Sequence, residues 1–189
     1  MRIISYVVTH DYGFAPNPYH DFLTLATCKP KIREYAKVGD LVVGTGSVAG
    51  IGLNKLIYAA IISEVVSTEE YSTNPRFEIK KPHDNLDVKM RRGDNIYYKD
   101  GNEWKQRPNN FHDKNEFDHD LSSQRILICE QFWYFGDKAP NIPEQFSDII
   151  KEKQGHKYTS DESIINGFMV WLNGFEKGIQ GSPSSLKHK

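Results

Sequence analysis

Apolar residues fall along this chain in short runs of strand length, separated by turns rich in glycine, proline and aspartate. Ile3 to Thr9 is β-branched and uncharged, which predicts an interior first strand. Phe22 to Thr27 predicts a short extended segment. Lys31 to Ala36 predicts a short helix, because Ile32, Tyr35 and Ala36 share one face and Pro30 is tolerated in a first turn. From Val38 to Val66, two apolar runs are entered at Gly39-Asp40 and joined by a loop bearing Gly44, Gly46, Gly50 and Gly52. They predict adjacent buried strands, and the glycines require the chain there to lie close to another backbone or to a ligand.

Farther on, Ser67 to Tyr71 reads as a capped short helix ended by Asn74-Pro75. Few apolar residues punctuate 76–92, which predicts a long excursion over the surface. Ile96 to Tyr98 predicts a strand entering a reversal at Asp100-Gly101-Asn102, and Lys105 to Asp120 reads as loop. Arg125 to Gly136 begins as a strand and ends in four aromatics. In an extended chain Trp133 and Phe135 face one way and Phe132 and Tyr134 the other, so one pair fills the core while the other faces a pocket. A short helix follows Pro143, with Phe146, Ile149 and Ile150 inward. Thr159-Ser160-Asp161-Glu162 opens an amphipathic helix on which Ile164, Phe168, Trp171 or Leu172, and Phe175 recur at three- and four-residue spacing. The pattern predicts one domain over 1–178, with 159–178 a C-terminal helix packed on its body and 179–189 a flexible tail.

With 189 residues, one core is the expectation. Lys and Arg number 24 against 25 Asp and Glu, so no global field draws polyanions and any nucleic-acid contact must be local. Ten Tyr, ten Phe and three Trp suit a small barrel and also suit flat ligands. No apolar run approaches membrane-spanning length, and the expectation is a cytoplasmic protein without a membrane partner. Cys28 and Cys129 are too far apart to define a zinc site or a disulfide framework and are expected to be buried free thiols.

The loop from His10 to Tyr19 carries Tyr12, Phe14 and Tyr19 at the end of the first strand, which makes it a candidate pocket wall. The glycine loop is not a phosphate-binding loop: no Gly-Lys-Ser/Thr follows, Ala49 stands where a dinucleotide fingerprint needs glycine, and a strand rather than a helix comes next. Candidate base-binding residues are therefore Tyr12, Phe14, Trp104, Trp133 and Tyr134 as stacking platforms, with Asn17, Thr45 and Ser47 as polar partners. Lys29, Lys31 and Arg33, with Arg91 and Arg92, are candidate phosphate contacts. Catalytic signals are thin: Asp11, Lys29 and His10 are the candidates, and Cys28 with His10 or His20 is conceivable as a thiol pair. His112 and His119 among aspartates invite a metal, but no ligand spacing supports one, leaving a polar ligand contact through either histidine. No metal and no cofactor are expected.

Five segments carry a resemblance. Tyr6-Val-Val-Thr-His-Asp-x-Gly-Phe-Ala-Pro-Asn-Pro, Leu25-Ala-x-Cys-Lys-Pro-x-Ile-Arg, Gly39-Asp-x-x-x-Gly, Gly93-Asp-Asn-Ile-Tyr and Phe132-x-Tyr-Phe-Gly resemble the nucleotide modification associated domain 2 family over roughly residues 3–150. More distantly the order of elements resembles the EVE and ASCH members of the PUA-like superfamily. The resemblance implies an α+β, PUA-like small mixed β-barrel with peripheral helices, associated with systems that make or handle modified bases in DNA, often of phage or mobile-element type. Three functions stay open: binding of a modified nucleobase or nucleotide, an enzyme acting on a modified nucleotide, and a structural partner subunit of a DNA-modification or restriction system.

Overall fold

The computed structural model describes residues 1–84 and 87–185. Its strands are β1 (Ile3–Val7), β2 (Leu23–Leu25), β3 (Leu41–Thr45), β4 (Leu56–Ile61), β5 (Glu64–Ser67), β6 (Tyr97–Asp100), β7 (Glu103–Gln106), β8 (Arg125–Cys129), β9 (Gln131–Tyr134), β10 (His156–Thr159) and β11 (Gly178–Ile179). The α-helices are α1 (Pro30–Tyr35), α2 (Thr68–Thr73), α3 (Val88–Arg91), α4 (Phe117–Leu121) and α5 (Glu162–Leu172).

A six-stranded sheet runs β10-β1-β3-β4-β9-β11. It is mixed: β1 lies parallel to β3 and β9 to β11, while the other neighbours are antiparallel. The second sheet is β2-β8-β5, and β6 and β7 form a separate hairpin. Two chain segments pass from one sheet to the other, β4 into β5 and β8 into β9. They turn together, because Ser63 N–H donates to the Ile128 carbonyl at 2.9 Å and Ser63 Oγ accepts Glu130 N–H at 3.2 Å. The sheets thus curve around a shared core that includes Tyr6, Leu23, Ile32, Tyr58, Leu127 and Tyr134. The expected α+β class, with mixed sheet and peripheral helices, is what the chain adopts. The edge strands β10 and β11 do not pair with each other.

The outer face of the large sheet is covered by α5 and the 3₁₀ turn Glu144–Ile149, which bury Phe146, Phe168 and Leu172 against Leu41, Val43 and Trp133. Thr159 pairs with Ile3 in β10, so the helix starts later than its hydroxyl signal predicts. Asp161 is the cap, accepting from Ser163 N–H and Ile164 N–H.

Three expectations change here. Trp133 and Tyr134 are both fully buried, on opposite faces of β9, because β9 sits inside the sheet with a core on each side. Neither faces a pocket. The glycines of the β3–β4 connection serve backbone approach: a Cβ at Gly46 would strike the Gly52 carbonyl, and one at Gly44 the Tyr58 ring. Thr45 and Ser47 are buried beside them. The tail is held in place over 179–185: Gly178 and Ile179 pair with Trp133 and Tyr134, and Ser182 exchanges bonds with Asp137. Residues 186–189 lie outside the described residues.

Residues 76–92 do not merely cross the surface. The 3₁₀ turn Pro75–Lys80 buries Phe77 and Lys80, whose ammonium donates to the carbonyls of Tyr19 at 2.6 Å and Phe22 at 2.7 Å and to Asn17 Oδ1 at 2.9 Å. Asp94 fixes β2 from the same side, accepting from Thr24 Oγ1 at 2.6 Å and Tyr71 OH at 2.7 Å. No helix among the described residues is long and apolar enough to cross a membrane.

Candidate functional site

β2 delivers the chain into a tight turn before α1. Cys28 and Lys29 occupy the left-handed region there, with φ of 58° and 42°, a conformation that non-glycine residues rarely adopt. Pro30 then starts the helix. The turn is gripped from both sides. Arg33 Nε donates to the Cys28 carbonyl at 2.9 Å, and Asp120 Oδ1 accepts the Cys28 N–H at 2.7 Å.

Arg33 is a candidate phosphate contact that the structure corrects. It is 1% exposed, and its guanidinium also donates to the carbonyls of Asp120, Ser123 and Arg125 at 2.5, 2.7 and 2.8 Å. The planar five-donor fork suits this work, binding several carbonyls at once and locking α1 to α4 and β8.

Asp120, buried on α4, accepts from Tyr97 OH at 2.8 Å through Oδ2, the same oxygen that lies 2.6 Å from His112 Nδ1. A carboxylate partner assigns the Nδ1 proton to His112. Nε2 is left facing Cys28 Sγ at 3.3 Å. Burial works against the charge of Asp120, but the hydrogen bonds from His112, Tyr97 and the Cys28 N–H outweigh it and hold the carboxyl below its usual range. Burial likewise opposes a charged His112. Its hydrogen bonds to Asp120 and Cys28 prevail and push it up to about 10.

Ligand atoms of Cys28, His112 and Asp120 lie within 4.8 Å of one another, close enough to invite a metal. Their layout is serial instead of convergent. The two imidazole nitrogens face different partners, and each carboxylate oxygen already accepts a hydrogen bond. Such an order suits proton relay better than a shared ion.

Cys28 and His112 open onto a cavity of about 280 Å³. Its walls are Tyr6, Tyr12, Phe14 and Phe111, and His10, Lys29 and Glu116 stand among its charged or polar groups. Phe14 and Phe111 stack at 4.7 Å with 16° between their planes, and His10 and Tyr12 at 5.7 Å with 3°. Lys29 Nζ lies 4.9 Å from the centre of the Tyr6 ring.

Of the residues singled out from sequence, His10, Tyr12, Phe14, Cys28, Lys29 and His112 come together here. The rest lie elsewhere. Asn17 is buried, its Nδ2 donating to the Arg92 carbonyl at 2.7 Å and its Oδ1 accepting the Tyr19 N–H. Thr45 Oγ1 points to the Tyr6 carbonyl. Trp104 lies on β7, beside a second groove of about 630 Å³ that also touches His112. Lys31 is exposed on α1, Arg91 is half-buried on α3, and Arg92 donates to Tyr19 OH at 2.8 Å, so Lys29 is the one member of the basic set that lines the cavity. Asp11 is committed elsewhere: its carboxylate accepts from Tyr134 OH at 2.6 Å and Ser184 N–H at 2.9 Å.

Sequence reasoning paired Cys28 with His10 or His20, whereas its partner is His112, 84 positions away. Asp120, Tyr97 and Phe111 were also missed as site members. The one signal in the sequence is the density of histidine and aspartate between Phe111 and Asp120, within a stretch otherwise reading as loop.

No curated protein matches the chain. Among solved structures it is similar to the crystal structure of ASCH from Zymomonas mobilis, at 7% identity and a TM-score of 0.38, covering 94% of this chain and 98% of that one. The family model described as nucleotide modification associated domain 2 matches residues 1–189, and the chain belongs to that family.

Proposed function

We propose that the cavity over Cys28 binds a modified nucleobase or nucleotide, free or as a base extruded from DNA. The observation that carries this reading is the aromatic enclosure made by Tyr12, Phe14 and Phe111 around a space of about 280 Å³, just below the roughly 300–1,000 Å³ range of ligand pockets and suited to a small planar group. Stacking of a base on such rings contributes about 1–3 kcal/mol. Membership of a family described by nucleotide modification supports the same ligand class.

Phosphate adds little to the affinity. The net charge is −1, and Lys29 is the single basic residue of the candidate set at the cavity, so bulk DNA binds weakly and the base supplies the selectivity. A base still within a duplex must first be extruded, at a few kcal/mol. The setting this implies is a cytoplasmic DNA-modification or phage-defence and counter-defence system, with other proteins of that system as partners. Calorimetric titration with modified and unmodified nucleosides, and with single- and double-stranded oligonucleotides carrying the same modifications, tests the reading. Tighter binding of a modified form, weakened in Tyr12→Ala, is the expected result; equal affinity for every ligand overturns it.

A further inference from the structure

We propose that Cys28 is a nucleophile that cleaves an acyl linkage, an amide or an ester, carried by the bound ring, with His112 as its proton carrier and Asp120 as the residue positioning His112. The substrate class rests on the nucleobase reading above; the assignment of the nucleophile does not.

Three independent observations converge on it. Cys28 sits in the left-handed region at a strand–turn–helix junction, a costly conformation that the Arg33 and Asp120 hydrogen bonds maintain. Its sulfur lies 3.3 Å from His112 Nε2, and His112 Nδ1 lies 2.6 Å from Asp120 Oδ2, the nucleophile–base–orienter order of acyl-transfer sites. Both Cys28 and His112 line a cavity, with Lys29 as the cation beside them. Cys129 is the contrast: it is 1% exposed in the core, and burial pushes its thiol well up. The other titratable groups facing the cavity are Tyr6, His10, Tyr12 and Glu116.

With His112 carrying both ring protons, the Cys28 sulfur attacks the acyl carbon as the thiolate paired with His112 Nε2–H. A C–S bond forms and the carbonyl π pair moves onto oxygen, where the Lys29 ammonium is the available positive charge. Collapse breaks the bond from the acyl carbon to nitrogen or oxygen of the ring substituent, and His112 returns its proton to that leaving atom. Water then gives a proton to His112 and its oxygen to the thioester; the C–S bond breaks and the sulfur leaves as the thiolate beside the reprotonated His112. The balance is one water consumed, one carboxylic acid and one ring amine or alcohol released.

The probe is p-nitrophenyl acetate, with release of nitrophenolate and the mass of the modified peptides followed on the full chain. We expect acetylation at Cys28 and not Cys129, at a rate at least about tenfold above glutathione at the same pH, and none in Cys28→Ser. His112→Asn lowers the rate about 100-fold, and Asp120→Asn changes its pH profile. Should the His112 variant fail to fold, alkylation of the unaltered protein by iodoacetamide gives the same comparison with glutathione. A Cys28 no more reactive than glutathione, or equally reactive without His112, overturns the inference. So does one tightly held zinc per chain whose removal leaves an ordinary thiol. Acetylation that succeeds where nucleoside binding fails sinks only the ligand reading; the reverse sinks only the nucleophile.

Discussion

The carboxylate of Asp120 holds the backbone N–H of Cys28 at 2.7 Å, so the residue that orients His112 also fixes the turn carrying the sulfur. One side chain thereby sets both ends of the thiol–imidazole contact. The consequence is mechanical coupling: a shift of α4 moves the base and the nucleophile together.

Removing that carboxylate strands three donors, the Cys28 N–H, the Tyr97 hydroxyl and the His112 ring. Asp120→Ala is expected to lower the unfolding free energy by about 3–5 kcal/mol, the cost of breaking a buried charged pair. Denaturant unfolding of the variant beside the parent measures it, and a loss below about 1 kcal/mol contradicts the anchoring role.

Stability carries a pH signature from the same pair. His112 is raised from 6.5 to about 10 in the fold, so the folded protein holds this proton more tightly than the unfolded chain. The contribution is complete below about pH 6.5 and is lost as pH rises through about 10, at up to about 1.4 kcal/mol per pH unit between. Lys80, pushed by burial down to about 7, acts in the opposite sense over an overlapping range. The difference between the unfolding profiles of the parent and His112→Asn therefore isolates the histidine; identical slopes count against the ion pair.

Arg33→Lys is not a mild change. A lysine presents one compact charge where the guanidinium serves four carbonyls, and each buried carbonyl left without a donor costs about 1–3 kcal/mol. A loss of about 3 kcal/mol in urea unfolding is expected, together with faster amide exchange at Cys28 and Lys29.

Ending the chain at Gly178 strips Asp11 of its bonds to Ser184 and Ser185 and uncovers β9. A loss near 2 kcal/mol, or about 4–8 °C in thermal midpoint for a chain of this size, is the expected outcome. Hydrogen exchange in 9–14 accelerates with it, since Asp11 lies between the cavity residues His10 and Tyr12. An unchanged midpoint identifies the ordered tail as dispensable.

Trp133 and Tyr12 separate core from ligand wall. Trp133→Ala costs about 3–5 kcal/mol by leaving a core cavity, while nucleoside affinity per folded molecule stays constant. Tyr12→Ala does the opposite, weakening binding with little change in unfolding. Exchanged outcomes place the ligand on β9 instead of in the cavity.

Much of the local structure was legible in the order of residues. The β-branched run at Ile3, the Pro30 helix start and the Ser67 cap specify their own conformations through sterics and nearby hydrogen bonds, which need no distant partner. The aromatic loop at Tyr12 and Phe14 was likewise readable as a pocket wall. Burial on both faces was not, because alternation along β9 says which side chains share a face but not that each face meets a core; hence Trp133 and Tyr134 read as pocket residues. The relay itself was settled only by the tertiary structure. Cys28 meets His112 and Asp120 because the β6–β7 hairpin and α4 fold the loop between them back over the end of β2, a contact across more than 80 residues with no period or spacing to announce it. Arg33 and Asp11 show the same limit from the other side: a charged residue's type is visible in sequence, but whether it faces solvent, a ligand or a row of buried carbonyls depends on what the fold packs around it.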